Sequence, residues 1–253
     1  MLETTVNTSR WSRPGERLDD LQLDGLYILQ DPGAFCFGTD SVLLADFCRA
    51  KAADRVLDLG TGNGILPLLL WGRYRTGSIT GIEIQERMAD LAARNFRMNH
   101  LPETIYCIKG DYRAAREEIP ANGFSLVVMN PPYYPLGGGK QAEMGEKALA
   151  RHEVAATLAQ SIAAAKRALQ SMGRLCMVYP TKRLAELFGT LLEQNMTPKR
   201  LRLVQERVDK PADLALLEAV KGGGMELRAE PTLVLKAPDG SPTAEYNRIF
   251  FKS

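Results

Sequence analysis

Short continuous apolar runs alternate along this chain with stretches that carry only one apolar face. Residues 56–59, 78–83, 105–108, 124–129 and 175–179 are runs of strand length, nearly unbroken by polar positions, as strands buried on both faces of a parallel sheet require. Between them, residues 65–71 are apolar, and residues 86–99 place Met88, Leu91, Ala92 and Phe96 at helical spacing. A further helix is predicted over 151–170, with Val154, Leu158, Ile162, Ala165 and Leu169 on one face, and another over 184–194. Residues 200–208 read as a sixth strand and 230–236 as a seventh, leaving 212–224 as an insertion. The alternation predicts an α/β fold: a mostly parallel seven-stranded sheet with helices on both faces.

Ahead of this pattern, residues 1–20 are polar, with Arg10, Arg13 and Arg17 around Trp11 and Pro14. A frayed terminus is the favoured reading, and a basic arm that touches RNA the alternative. Residues 21–37 are apolar apart from Asp31-Pro32-Gly33, which reads as the turn of a hairpin; Thr39 or Asp40 then caps a helix through 42–47. Residues 1–50 are therefore expected to form an extension of hairpin and helix packed on a domain spanning 51–253.

Composition narrows the picture. A chain of 253 residues with a formal charge of +2 buries a substantial core, and its global charge points to no particular partner. Cys36, Cys48, Cys107 and Cys176 are scattered in apolar contexts, as reduced core thiols of a cytoplasmic protein are. His100 and His152 share no ligand spacing with them, so no metal is expected. Neither a transmembrane run nor a signal peptide is apparent.

The chemistry is concentrated at the ends of predicted strands. The first run carries Asp58 near its end and leads into Gly60, Thr61, Gly62 and Gly64, then into the helix at Ile65. This is a tight turn at which a ligand approaches bare backbone and the N–H groups of a helix start, the opening of a Rossmann-like unit. Ile65 and Leu66 stand where a dinucleotide fingerprint has its later glycine, which argues against a nicotinamide cofactor. The second strand ends at Glu83, placed to accept hydrogen bonds from a ribose diol, each charge-assisted bond contributing about 1.5–3 kcal/mol. The fourth delivers Asn130-Pro131-Pro132-Tyr133-Tyr134 to the same sheet edge.

Together these residues resemble the Rossmann-like methyltransferases of the class I fold that use S-adenosylmethionine (SAM). The resemblance implies Asp58 and Gly60 to Gly64 around the methionine part of SAM, Glu83 on the ribose hydroxyls, Asp111 with Tyr112 near the adenine, and Ile84 as a further cofactor contact. Asn130, Pro131, Pro132 and Tyr133 then resemble the signature of enzymes that methylate an amine, with Asn130 also bordering the cofactor. A narrower resemblance, carried by residues 16–25, 37–44, the Asn130 motif and 150–153, is to the Gram-positive branch of the bacterial methyltransferases acting on N6 of an adenosine beside the anticodon of valine tRNA. It implies tRNA as the partner and makes Thr39 and Asp40 cofactor contacts, or simple helix caps.

On that reading, Asn130 Oδ1 and the Pro131 carbonyl accept the hydrogens of the target amine. Tyr133, with Tyr134 as a second ring, stacks on the base for about 1–3 kcal/mol. Residues 135–147 are glycine-rich and polar, and a loop beside a reactive site commonly closes over substrate, which would bring Lys140, Lys147 and Arg151 to phosphates. The basic group Lys199, Arg200, Arg202, Arg207 and Lys210, with Lys182 and Arg183, reads as a solvated edge or as a phosphate track. Three other functions remain open: methylation of a release-factor glutamine, methylation of guanine N2 in ribosomal RNA, and a non-catalytic SAM-binding RNA adaptor.

Overall fold

The computed structural model describes residues 10–33, 36–114, 117–131 and 156–250. A hairpin of β1 (Arg17–Asp20) and β2 (Tyr27–Gln30) precedes helix α1 (Thr39–Cys48). Then come β3 (Arg55–Leu59), α2 (Ile65–Tyr74), β4 (Ser78–Glu83), α3 (Glu86–Met98), β5 (Ile105–Lys109) and β6 (Phe124–Met129). The chain continues through α4 (Leu158–Ala168), β7 (Leu169–Pro180), a 3-10 turn at Thr181–Arg183, α5 (Leu184–Glu193) and the long antiparallel pair β8 (Met196–Arg207) and β9 (Ala212–Lys221). Two short strands, β10 (Arg228–Ala229) and β11 (Leu233–Lys236), and helix α6 (Ala244–Phe250) complete it.

The main sheet runs β5-β4-β3-β6-β7-β9-β8. Every neighbouring pair is parallel except those of β9, which is antiparallel to both β7 and β8. The period of two along each strand divides the core into two faces. Val56, Ile79, Leu126, Val128 and Val178 pack with residues of α1, α2 and α3, while Leu57, Ile82, Val127, Met129 and Met177 pack with residues of α4 and α5. The α/β architecture with a mostly parallel sheet is therefore as the pattern predicts.

Its far edge is not. The expected insertion at 212–224 is β9, a sheet-interior strand with Ala215, Leu216, Leu217 and Ala219 buried. The sequence ADLALLEAVK has helical composition, and burial between two long strands overrides that weak preference. The expected seventh strand at 230–236 is instead β10 and β11, both parallel to the outer edge of β8. The sheet thus has nine strands among the described residues, not seven.

The basic group is solvated only in part: Lys182 and Lys210 are exposed and Lys199, Arg202 and Arg207 half-buried, but Arg200 is not at the surface. Arg200 is buried, donating to Glu218, Glu230 and the Phe47 carbonyl, with its guanidinium 4.1 Å from the Phe47 ring centroid. Arg202 pairs with Glu245, Arg207 with Asp209, and Lys199 donates to the Gly224 carbonyl. Arg200 and Arg174 both reach the C-terminal end of α1, where carbonyls lack helical partners: Arg200 binds that of Phe47 and Arg174 that of Cys48. These cations anchor one end of α1.

Three N-terminal details also differ. The hairpin turns at residues 21–26, where Gln22, Asp24 and Gly25 take positive φ, whereas Asp31 accepts from the Gly33 amide after β2 has ended. Residues 10–20 are docked rather than frayed, because Glu16 forms a bidentate, buried ion pair with Arg94 of α3. Gly38 holds the cap position of α1 without a side-chain cap; Thr39 and Asp40 are its first helical residues. Cys48 and Cys176 are buried free thiols, while Cys36 and Cys107 are half-buried.

Candidate active site

Strand register gathers the predicted acids and Asn130 at one sheet edge. Asp58 lies opposite Val128 of β6 on one side and Gly81 of β4 on the other, so Asn130 and Glu83, each two residues further on, flank the end of β3. Glu83 in turn lies opposite Lys109 of β5, which puts Asp111 just beyond the next strand end.

The turn from β3 to α2 is built for close approach. Gly60, Gly62 and Gly64 have φ of +74°, +58° and +84°, which L side chains rarely adopt. A Cβ on Gly64 would also sit 2.5 Å from the Phe96 ring, so α3 presses directly on the loop. The Gly60 and Thr61 amides both donate to the Ile82 carbonyl, at 2.9 and 3.0 Å. Glu83 is buried, and its two carboxylate oxygens accept separately from the Gly62 amide at 3.0 Å and the Gln85 amide at 2.9 Å. The glycine turn therefore orients the acid, and each oxygen retains a further lone pair for a ligand.

Asp58 is 1% exposed, and neither of its carboxylate oxygens has a hydrogen-bond partner among the described residues; the same holds for the Thr61 hydroxyl and Asn63 Nδ2. Buried polar atoms left in this state are costly unless something else satisfies them. Burial, reinforced by the Glu83 carboxylate, pushes the Asp58 carboxyl up to about 7; the nearby Thr61 hydroxyl opposes this without reaching hydrogen-bond geometry. Burial and the same two acids push the Cys107 thiol up to about 12, leaving it protonated and unsuited as a nucleophile.

Beyond β5, the Gly110 amide donates to the Glu83 carbonyl at 2.8 Å. The Asp111 carboxylate is gripped by the Arg113 guanidinium and amide, which hold it below the usual carboxylate range. The Tyr112 hydroxyl lies 2.9 Å from that of Ser161 on α4. Ile84, directly after Glu83, is 36% exposed and offers an apolar surface at this edge. At the end of β6, Asn130 Nδ2 donates to the Ser41 hydroxyl at 3.2 Å, tying the catalytic candidate to α1; Pro131 is half-buried. Thr39 and Asp40 lie in the same first turn of α1, Thr39 exposed and Asp40 half-buried. Pro132, Tyr133, Tyr134, Lys140, Lys147 and Arg151 lie outside the described residues.

Sequence reading missed Asn95. Its buried Nδ2 donates to the carbonyls of Asn63, in the glycine turn, and Leu29, while its Oδ1 accepts from the Leu29 amide at 2.7 Å. Asn99, one helical turn on, makes the same exchange with Tyr27. Two asparagines four apart on an otherwise apolar helix face were the available signal.

The family described as methyltransferase small domain matches residues 25–198. The chain belongs to this family. Among curated proteins, this methyltransferase is 32% identical over 221 residues to the tRNA1(Val) (adenine(37)-N6)-methyltransferase of Porphyromonas gingivalis, covering 84% of this chain and 86% of that one. It is 28% identical over 182 residues to the protein of the same name from Photobacterium profundum, covering 71% and 75%. Among solved structures it resembles a predicted O-methyltransferase of Agrobacterium tumefaciens, with a TM-score of 0.68 at 22% identity over 83% of this chain and 95% of that one. A SAM dependent methyltransferase of Aquifex aeolicus gives a TM-score of 0.52 at 18% identity, covering 71% and 87%. These two likenesses concern the fold. The cofactor of this methyltransferase is SAM, and the site fits it: a cationic amine is what the unpartnered Asp58 carboxylate lacks.

Proposed function

We propose that this methyltransferase transfers a methyl group from SAM to the N6 amine of an adenosine in tRNA, next to the anticodon of valine tRNA. The observation that carries the reading is the meeting, at one sheet edge, of the unpartnered Asp58 cradle and an Asn130 whose amide nitrogen is already engaged by Ser41. That bond fixes the amide in the orientation that directs Nδ2 at Ser41 and so sets where the acceptor oxygen Oδ1 stands.

SAM when bound supplies a methyl group activated as a sulfonium, so the protein's work is positioning and electrostatics. Asp58, with the backbone of residues 60–64, would hold the amino-acid end; Glu83 would accept from the ribose hydroxyls, with Thr39, Asp40 and Ile84 bordering the same pocket; Asp111 and Tyr112 would bound the adenine. An exocyclic amine is a poor nucleophile because its lone pair is delocalised into the ring. Asn130 Oδ1 and the Pro131 carbonyl would accept its hydrogens and draw the nitrogen toward a tetrahedral shape as the N–C bond forms and the S–C bond breaks; S-adenosylhomocysteine leaves, and the methylated nitrogen, which carries the positive charge, then loses one proton to water. Proline fixes that carbonyl's direction and brings no competing N–H. Pro132 stiffens the same segment, Tyr133 and Tyr134 stack on the base, and Lys140, Lys147 and Arg151 take phosphates of the tRNA.

The names of the curated relatives support tRNA over a release factor or ribosomal RNA as acceptor. No helix among the described residues is long and apolar enough to cross a membrane, and we place the enzyme in the cytoplasm with its substrate. Labelled methyl transfer to total tRNA, ribosomal RNA and release factor in parallel tests the acceptor: label confined to tRNA supports the proposal, and label in either other substrate replaces it.

A further inference from the structure

The loop after β5, which carries Asp111 and Tyr112, is held in place from α4. Arg167 reaches across from the last turn of that helix and donates to three successive carbonyls. Nη2 binds those of Tyr112 at 2.8 Å and Ala114 at 2.9 Å, and Nη1 that of Arg113 at 3.1 Å. A cation in a last turn ordinarily faces its own helix's free carbonyls; this one is spent on a neighbouring loop. Ser161, two turns earlier, donates to the Thr157 carbonyl and so receives its bond from the Tyr112 hydroxyl. At the loop's other end the Gly110 amide is fixed on the Glu83 carbonyl.

The partner of Asp111 belongs to the loop itself. Arg113, two residues on, holds the carboxylate and would move with it, so that pair does not locate Asp111 relative to the sheet. Arg167 and Ser161 do. A planar fork spanning three carbonyls is a task for arginine, because the compact ammonium of lysine lacks both the span and the fixed geometry.

We propose that Arg167 is a positioning residue for base recognition in the cofactor: by fixing the backbone of residues 112–114 it sets where Asp111 stands, and with it the preference for adenine. This rests on the reading of residues 110–112 as the adenine end of the SAM site. A carboxylate accepts from the amine of adenine and is repelled by the carbonyl that replaces it in hypoxanthine, so the preference is measurable without catalysis.

The test is calorimetric binding of S-adenosylhomocysteine and S-inosylhomocysteine to the full chain. Wild type is expected to favour the adenine compound at least tenfold. Arg167→Met should shrink that ratio fivefold or more, almost wholly by weakening the adenine compound, and Arg167→Lys should not restore it. Ser161→Ala, which removes one anchor and leaves the guanidinium in place, should shrink it two- to threefold and serves if Arg167→Met fails to fold. Equal weakening of both compounds, with the ratio kept, would make Arg167 a scaffold residue and overturn the inference alone. Wild type binding both equally would overturn it through Asp111, and wild type binding neither would remove the cofactor site as well.

Discussion

Asn130 and Ser41, 89 residues apart in sequence, are joined by one hydrogen bond from the asparagine amide to the serine hydroxyl, 3.2 Å long. The bond couples the end of β6 to the first turn of α1, whose other end is fixed by Arg174 and Arg200. Asn130→Ala should lower kcat about 100-fold or more, the scale of losing an aligned group in the transition state, with SAM affinity nearly unchanged. Ser41→Ala removes a bond of about 0.5–1.5 kcal/mol and should lower kcat roughly 2- to 12-fold. In the double variant the serine should add nothing, because its effect passes through Asn130. Steady-state kinetics with SAM titrations check all three.

Glu83 should act on the cofactor instead. Glu83→Gln weakens the charge-assisted bonds to a ribose and releases part of its hold on the glycine turn, at a cost of about 1.5–3 kcal/mol, or roughly 10- to 150-fold in SAM affinity. Calorimetry reads it directly; a kcat loss with unchanged affinity would contradict the assignment.

Asp58 makes binding and stability depend on pH in opposite ways. Its folded carboxyl titrates at about 7, above its ordinary range, so between roughly pH 4 and 7 the folded state binds more protons than the unfolded one. Ligand-free stability should therefore fall as pH rises through that window and then level off. A cationic ligand needs the ionised form, so SAM affinity should rise about tenfold from pH 6 to pH 8. Asp58→Asn should flatten both profiles, read by thermal melts and calorimetry across that range.

Asn95 joins the hairpin, the glycine turn and α3 through three buried hydrogen bonds. Asn95→Leu strands the partners of those bonds at about 1–3 kcal/mol each, and the melting temperature should drop by several degrees or more. A melt within a degree of wild type would show the contact to be dispensable.

How much of this was legible depended on how each residue is used. Asp58, Glu83 and Asn130 stood out because buried parallel strands read as apolar runs, and their exit points fall on the ligand-binding edge. The strand β9 was hidden by its alanines and leucines, which suit a helix equally well; only its position between β7 and β8 makes it extended. Arg200 was illegible for a related reason. Alternation with Leu201 suggested a charged outer face, yet its partners Glu218 and Glu230 come from strands and loops that sequence alone does not bring together. The loop clamp of Arg167 has no local signature either, since its acceptors are main-chain carbonyls more than fifty residues away.

The most direct test is nucleoside mass spectrometry of valine tRNA after incubation with the enzyme and isotopically labelled SAM, with Asn130→Ala alongside. The account predicts labelled N6-methyladenosine beside the anticodon, absent with the variant. Labelled 2-methylguanosine, label elsewhere in the tRNA, or equal labelling by Asn130→Ala would contradict it.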